Sequence, residues 1–217
     1  MPAIETYFQK LLKTNPLREP VLRAAIQTLE LPLGSRGLDA GCGLGLQMSL
    51  LAEAVGPAGQ VIGLDKSPDF VAYAQGLFEN SPWSGQVTFQ EGDVNHLPFD
   101  DYTFHWVWSA DCVGYPAQEP MPLMQELVRV VKPGGRVALL IWSSQQVLPG
   151  YPLLEARLNA TSAGIAPFVP GQPPEWHWLR ALGWMRQAGL TNATAHTLAG
   201  TVGVLGRRFA GLFCAGR

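Results

Sequence analysis

Leu38-Asp39-Ala40-Gly41-Cys42-Gly43-Leu44-Gly45 decides how this chain is read. It joins a short run, Gly37 to Ala40, that predicts a strand to a helical run from Leu46 to Val55, closed by Gly56-Pro57. Glycines there let the backbone turn sharply and come close to a ligand. At the carboxyl end of a strand in an open parallel sheet, such a loop borders the usual ligand crevice. A structural turn alone would also account for the glycines, so the neighbouring segments must discriminate.

Upstream, Arg18 to Leu31 sets Val21, Leu22, Ala25, Ile26 and Leu29 at helical spacing, and Pro32 and Gly34 stop that helix. Downstream, Gln60 to Leu64 predicts a second strand, and Ser67-Pro68 opens a helix as N-cap and first helical residue. Gln86 to Gln90 and Phe104 to Ser109 predict the third and fourth strands. Pro122 to Val131 predicts a helix ending in the turn Lys132-Pro133-Gly134-Gly135, followed by an apolar fifth strand, Val137 to Trp142. Strands alternating with helical or loop crossovers imply a Rossmann-like α/β fold, an open and mostly parallel sheet with helices on both faces. The chain reads as one domain, 1–217, with an irregular insertion at about 143–174 that contains a short helical piece near Leu153 to Ala160. Glu175 to Ala188 returns to helical spacing, with Gly189 as its stop. At the end, Thr191 to Leu198 and Phe209 to Ala215 read as an antiparallel strand pair; the alternative is a helix over Leu205 to Cys214 with the last strand missing.

The acid before the glycines points to the ligand's charge. A dinucleotide would set a pyrophosphate against this loop and the next helix, where Asp39 would repel it. A sulfonium ligand with an ammonium group carries positive charge and suits Asp39. The spacing is also G-x-G-x-G, not the G-x-G-x-x-G of a dinucleotide fingerprint. Asp65, at the end of the second strand, can accept hydrogen bonds from both hydroxyls of a ribose. After the third strand comes Glu91-Gly92-Asp93-Val94, where Asp93 can accept from an adenine amino group beside the Val94 backbone.

Composition narrows the classes. Hydrophobic residues make up 47% and charged residues 15%, with 15 basic against 17 acidic side chains and a net charge of −2. That is globular, and it offers no basic footprint for nucleic acid. Cys42, Cys112 and Cys214 show no zinc-type spacing, so no metal site is expected. The start, Met1 to Leu12, lacks a signal peptide's basic and apolar segments, and no apolar run approaches the ~20 residues of a membrane helix. A cytoplasmic protein without membrane insertion, acting as monomer or homodimer on a small molecule, is the expectation.

The succession LDAGCG, GLDKS, EGDVNHLPF, FHWVWS and ELVRVVKPGGRVALLIW resembles the class I S-adenosylmethionine-dependent methyltransferases, over about Leu17 to Trp142. It is most similar to the branch with quinone-biosynthesis and other small-molecule enzymes. The resemblance implies a seven-stranded sheet of order 3-2-1-4-5-7-6, with S-adenosylmethionine at the strands' carboxyl ends and S-adenosylhomocysteine as product. It implies that Asp39, Gly41 and Gly43, with Ala40 and Cys42 in the same loop, line the methionine part. Asp65 would hold the ribose with Lys66 and Ser67 beside it, Asp93 and Val94 would meet the adenine, and Ser109 would offer a carbonyl to the amino group. One departure is Phe104-His105, where the family usually has Phe-Asp.

Methyl transfer needs alignment and water exclusion more than a catalytic triad. Asp111 and Tyr115, after the fourth strand, are the candidates for a base or a substrate-orienting group; a loop acid and a packed tyrosine are the plain alternative. His177 between Trp176 and Trp178 could reach the pocket or belong to a packed face. Trp176, Trp178, Trp184 and Phe168 could cover an apolar or aromatic acceptor, or pack a helix on the sheet. Tyr7 and Phe8 are placed as a lid by the resemblance. The rival to an enzyme is a non-catalytic binder of the same fold.

Overall fold

The computed structural model describes residues 2–113, 118–146, 153–154, 171–202 and 206–216. Its helices are α1 (Pro2–Thr28), α2 (Met48–Val55), α3 (Pro68–Phe78), α4 (Met121–Val130) and α5 (Ala181–Gln187). Its strands are β1 (Arg36–Ala40), β2 (Gln60–Asp65), β3 (Val87–Glu91), β4 (Phe104–Ala110), β5 (Val131–Gln146), β6 (Thr194–Val202) and β7 (Gly206–Gly216). They form a seven-stranded sheet of order β3-β2-β1-β4-β5-β7-β6. The first five are parallel, and β7 runs antiparallel between β5 and β6.

Alternation along the central strands sorts the core into two faces. Ala138, Leu140 and Trp142 of β5 join Trp106 and Trp108 of β4 beneath Val21, Leu22, Ala25 and Ile26 of α1 and Met48, Leu51 and Val55 of α2. Val137, Leu139 and Ile141 face the other way, with Val107, against Leu123, Met124 and Leu127 of α4 and Ala181, Trp184 and Met185 of α5. Strands covered on both faces are apolar throughout, as the β5 run is. The Trp106 indole lies across β1 so closely that a Cβ at Gly37 would fall 2.0 Å from it. Its Nε1 donates to Ser35 Oγ at 2.9 Å. The strand order reverses between β2 and β4 around β1, which opens a crevice above the carboxyl ends of β1 and β4.

Several boundaries differ from the sequence reading. The strand pair at the end is present, so the sheet is complete and the helical alternative over 205–214 is excluded. The Lys132-Pro133-Gly134-Gly135 turn lies inside β5 as a bulge: pairing steps from Phe104↔Val131 to Trp106↔Arg136. The irregular stretch expected from 143 falls largely outside the described residues, but at its start β5 continues to Gln146 because β7 pairs with it as far as Arg207. Glu175 to Ala188 is not one helix. Two 3-10 turns, Pro174–Trp176 and Trp178–Arg180, precede α5, and His177 caps the second by accepting the Leu179 N–H at 3.2 Å. Among the described residues no helix is long and apolar enough to cross a membrane.

The largest difference is α1, which begins at Pro2 instead of Arg18. Its two parts are held unequally. No side chain from residue 5 to residue 20 is buried, whereas Val21, Leu22, Ala25, Ile26 and Leu29 are almost wholly buried. Burying a Val, Leu or Ile side chain is worth about 1.5–3 kcal/mol, so the second part is firmly anchored. The first part rests on α3 through aromatic contacts, Tyr7 on Phe70 with centroids 6.2 Å apart and Phe8 on Tyr73 at 4.7 Å. Such pairs add only about 0.5–1.5 kcal/mol each beyond the area they bury. The periodicity of the first part was weak in sequence because its inner face is mixed polar and apolar.

Candidate functional site

The loop after β1 is pinned to β2, since the Leu64 carbonyl accepts from the N–H groups of Gly41 (2.8 Å) and Cys42 (3.0 Å). Gly41 and Gly43 take φ of +81° and +55°, a region that disfavours side chains. A Cβ at Gly41 would sit 2.7 Å from Cys112 Sγ, while nothing lies within 4 Å of one at Gly43. The loop is thus closed toward β4 and open at Gly43.

Asp65 is held at that open side by backbone. Its Oδ2 accepts the Gly43 N–H at 2.8 Å and its Oδ1 accepts the Ser67 N–H at 2.9 Å. Ser67 caps α3 by accepting the Phe70 N–H at 3.4 Å, with Pro68 next. These bonds fix the carboxylate at the strand end and leave it spare lone pairs for hydroxyl donors. Asp93 is organised in the same local way: its Oδ1 accepts from Asn95 N (2.8 Å) and Asn95 Nδ2 (2.9 Å). The Asn95 backbone N–H holds the Asp93 carboxyl below its ordinary value. The 92–101 segment is stapled to α4 by Arg129, which grips both oxygens of Glu126 (2.7 and 2.8 Å), Asp101 (2.9 Å) and the carbonyls of Phe99 and Leu97. Glu126 in turn accepts the Leu97 N–H at 2.7 Å.

Beneath the loop lies Asp39, with no exposure to solvent. Among the described residues neither of its oxygens has a hydrogen-bond partner of normal geometry. Burial, and then the charge of Asp65, push its carboxyl up to about 8, against the opposing pull of the neighbouring Gln47 amide. A buried carboxylate costs several kcal/mol unless paired, so this group awaits a positive partner or keeps a proton. Burial pushes the Cys42 thiol up, and pushes that of Cys112 up to about 12, so neither is a ready thiolate.

At the far end of the crevice the ties are long-range. Asp111 follows β4 with φ of +54°, its N–H donating to the Leu140 carbonyl at 2.9 Å. One carboxylate oxygen accepts the Trp142 N–H at 3.2 Å, and the other pairs with the Arg18 guanidinium from α1. Arg18 also lies 4.9 Å from the centroid of the Trp142 ring. Burial pushes the Asp111 carboxyl above its ordinary value even though Arg18 and the Trp142 N–H oppose it.

These elements enclose a cavity of about 470 Å³, in the range of small-molecule sites. Its floor is Gly41, Cys42, Gly43, Leu44, Leu46 and Gln47. One wall is Asp65, Lys66, Ser67 and Phe70, another is Asp93, Val94 and Asn95, and the far end is Ala110, Asp111, Cys112 and Gln118. Tyr7, Leu11, Asn15, Arg18 and Leu22 of α1 form its roof. Gly41, Cys42, Gly43, Asp65, Lys66, Ser67, Asp93, Val94 and Asp111 therefore all border this one cavity. Ala40 and Asp39 lie beneath the lining, fully buried. Ser109 lies inside the sheet, its Oγ donating to the Ala40 carbonyl at 2.8 Å, and the cavity wall starts one residue later at Ala110. Tyr115 and Phe168 fall outside the described residues.

Trp178 and Trp184 pack in the α4–α5 face of the core, and Trp184 Nε1 donates to the Glu175 carbonyl at 2.7 Å. They pack a face instead of covering the cavity, and the buried His177 ring lies tilted against Trp178 with centroids 5.4 Å apart. His105, the departure from the family phrase, accepts the Arg36 N–H at 3.0 Å and so ties β4 to β1. Arg18, Gln47, Phe70 and Asn95, which line the cavity, and Arg129, which braces the 92–101 segment from outside, were missed by the sequence reading. The one available signal was the helical spacing of Tyr7, Leu11, Asn15, Arg18 and Leu22. Among the described residues no group of three or more His, Cys, Asp or Glu could hold a metal.

Residues 38–135 match the family model described as a methyltransferase domain. The chain is 36% identical over 133 residues to a demethylmenaquinone methyltransferase of Desulfitobacterium hafniense, covering 59% of this chain and 50% of that one. It is 35% identical over 125 residues to a 2-phytyl-1,4-naphtoquinone methyltransferase of Thermosynechococcus vestitus, covering 56% and 52%. The chain thus spans about half the length of these curated relatives. A crystal structure of a SAM-dependent methyltransferase from Aquifex aeolicus superposes with a TM-score of 0.62 at 22% identity, over 95% of this chain and 97% of that one. Sheet order, glycine loop and strand-end carboxylates agree with these likenesses: the chain has the fold of the class I S-adenosylmethionine-dependent methyltransferases, and its residues 38–135 are similar to their methyltransferase domain.

Proposed function

We propose that the protein transfers a methyl group from S-adenosylmethionine to a small apolar or aromatic acceptor. The observation that carries this reading is the pair of carboxylates at the loop. Asp65 is tethered by two N–H groups at the end of β2, and Asp39 is buried beneath the glycines with no hydrogen-bond partner of normal geometry among the described residues. A ligand that bears vicinal hydroxyls at one end and net positive charge at the other fits both; a pyrophosphate fits neither.

When bound, S-adenosylmethionine supplies an electrophilic methyl group on a positively charged sulfur. The chain's own work is placement. Asp65 would accept from the ribose hydroxyls, and its hold on Gly43 joins that contact to the loop. Asp39 would give up its proton and face the cation. Asp93, Val94 and Asn95 would border the adenine. The α1 roof would keep water from the far end. Asp111 has both oxygens engaged, by Arg18 and by Trp142, so it orients the far wall and is not a free base. An acceptor that is itself nucleophilic, such as a phenolate or the anion of a reduced quinone, fits a site in which Asp111 is engaged in this way. The names of the two quinone-type relatives support that class.

The test is acceptor-dependent formation of S-adenosylhomocysteine from S-adenosylmethionine over a panel of phenols, hydroquinones and amines. Turnover with aromatic hydroxyl compounds is expected. Saturable cofactor binding with no turnover on any member would favour the non-catalytic binder instead.

A further inference from the structure

The helix that roofs the cavity is built to bend, and one of its side chains fastens it to the far wall. Pro16 and Pro20 both lie inside α1, and neither can donate the N–H that would continue the helical ladder. Just before them, the Thr14 hydroxyl bonds back to the Lys10 carbonyl at 2.9 Å and to that of Leu11 at 3.3 Å, a contact that bends helices. The two sides of this weak point differ. After it, Val21 to Leu29 are buried, and Arg23 bonds to Glu53 of α2 at 2.8 Å. Before it, the chain has no buried side chain from residue 5 onward, yet it supplies Tyr7, Leu11 and Asn15 to the cavity.

Arg18 sits between the two prolines. Its guanidinium pairs with Asp111 and lies over the Trp142 ring. The receiving side is rigid, since Asp111 is fixed to β5 by its own N–H on the Leu140 carbonyl and by its carboxylate on the Trp142 N–H. We infer that Arg18 and Asp111 form a latch that holds the proline-hinged first part of α1 shut over the cavity, so that Arg18 governs how fast a bound cofactor escapes. This rests on the cofactor reading above. In it, Arg18 is a positioning residue: it acts through the helix and the Asp111 wall, without chemistry of its own.

The test uses the full chain with S-adenosylhomocysteine as probe. Dissociation is followed by stopped-flow tryptophan fluorescence, for which Trp142 beneath Arg18 is a built-in reporter. Tryptic cleavage after the exposed Lys10 and Lys13 reports the hinge independently, with and without probe. For Arg18→Ala we expect dissociation about tenfold faster or more, quicker cleavage at both lysines in the ligand-free protein, and loss of the protection that the probe gives the wild type. The thermal midpoint should stay close to wild type, because Arg18 is outside the buried anchor. Asp111→Asn should reproduce these changes in weaker form, and Arg18→Lys should restore part of the slow dissociation. Wild-type dissociation and cleavage rates in both Arg18→Ala and Asp111→Asn would overturn the latch. A wild type that binds no probe would overturn the cofactor reading itself, and the latch with it.

Discussion

The two ends of the cavity are built on different principles. At the Asp65 and Asp93 end each carboxylate is gripped by backbone or side-chain groups close by in sequence, Ser67 for one and Asn95 for the other, with Gly43 the only distant donor among the described residues. At the Asp111 end the groups come from residues 18, 111 and 142, and the contacts exist only when the sheet and α1 have assembled. The first end is a preformed receptacle, because short loops fix its acceptors before any ligand arrives. The second is an assembled closure, sensitive to the position of a whole helix.

That contrast can be broken most severely at Asp65. Asp65→Ala removes the proposed hydroxyl acceptor and frees two N–H groups of the preformed end. Hydrogen bonds to charged groups are worth about 1.5–3 kcal/mol each, so affinity for S-adenosylmethionine should fall by about 100-fold or more in calorimetric titration. A loss of less than about threefold would mean that the receptacle is elsewhere.

Next is the proton on Asp39. Its carboxyl is raised from 3.8 to about 8 in the fold, so the folded ligand-free chain keeps a proton that the unfolded chain has lost. Stability on this account is full below about pH 4 and is lost progressively as pH rises to about 8. A cationic ligand favours the ionised form, so S-adenosylmethionine should bind with proton release below pH 8. Its affinity should climb by up to about tenfold per pH unit between pH 6 and 8. Asp39→Asn should abolish both dependences; proton release that persists in that variant would assign it to another group.

Gly41 is where the two ends meet. At φ +81° and with Cys112 Sγ 2.7 Å from an added Cβ, Gly41→Ala must push the loop and the far wall apart. Strain of about 1–3 kcal/mol is expected, seen as a thermal midpoint lower by several degrees and binding weaker by about tenfold. The smallest effect belongs to Arg129, which is partly exposed and staples the 92–101 loop from outside. Arg129→Ala should weaken S-adenosylmethionine binding by a few-fold and leave the effect of Arg18→Ala on dissociation unchanged. A change as large as that of Asp65→Ala would show that the adenine side, too, depends on a distant tie.

The same contrast explains what could be read from the sequence. Asp39, Asp65 and Asp93 stood at strand ends beside glycines, so local pattern placed them. Arg18 was written off as the start of a helix because nothing in its neighbours points 93 residues ahead to Asp111. The first half of α1 was missed for a related reason: its inward face mixes Tyr7, Leu11, Asn15 and Arg18, and Pro16 and Pro20 look like breaks. The final strand pair was ambiguous in the sequence because its short apolar runs suited either structure, and only pairing with β5 settles it. His177 and the tryptophans around it were legible as a packed face, but which face depended on where α5 docks.

The most direct test of the account is calorimetric titration of the purified wild type with S-adenosylmethionine, S-adenosylhomocysteine and NAD in turn. The account predicts saturable binding of the first two at a single site and none of NAD. Silence from both adenosyl ligands, or binding of NAD in their place, would contradict it.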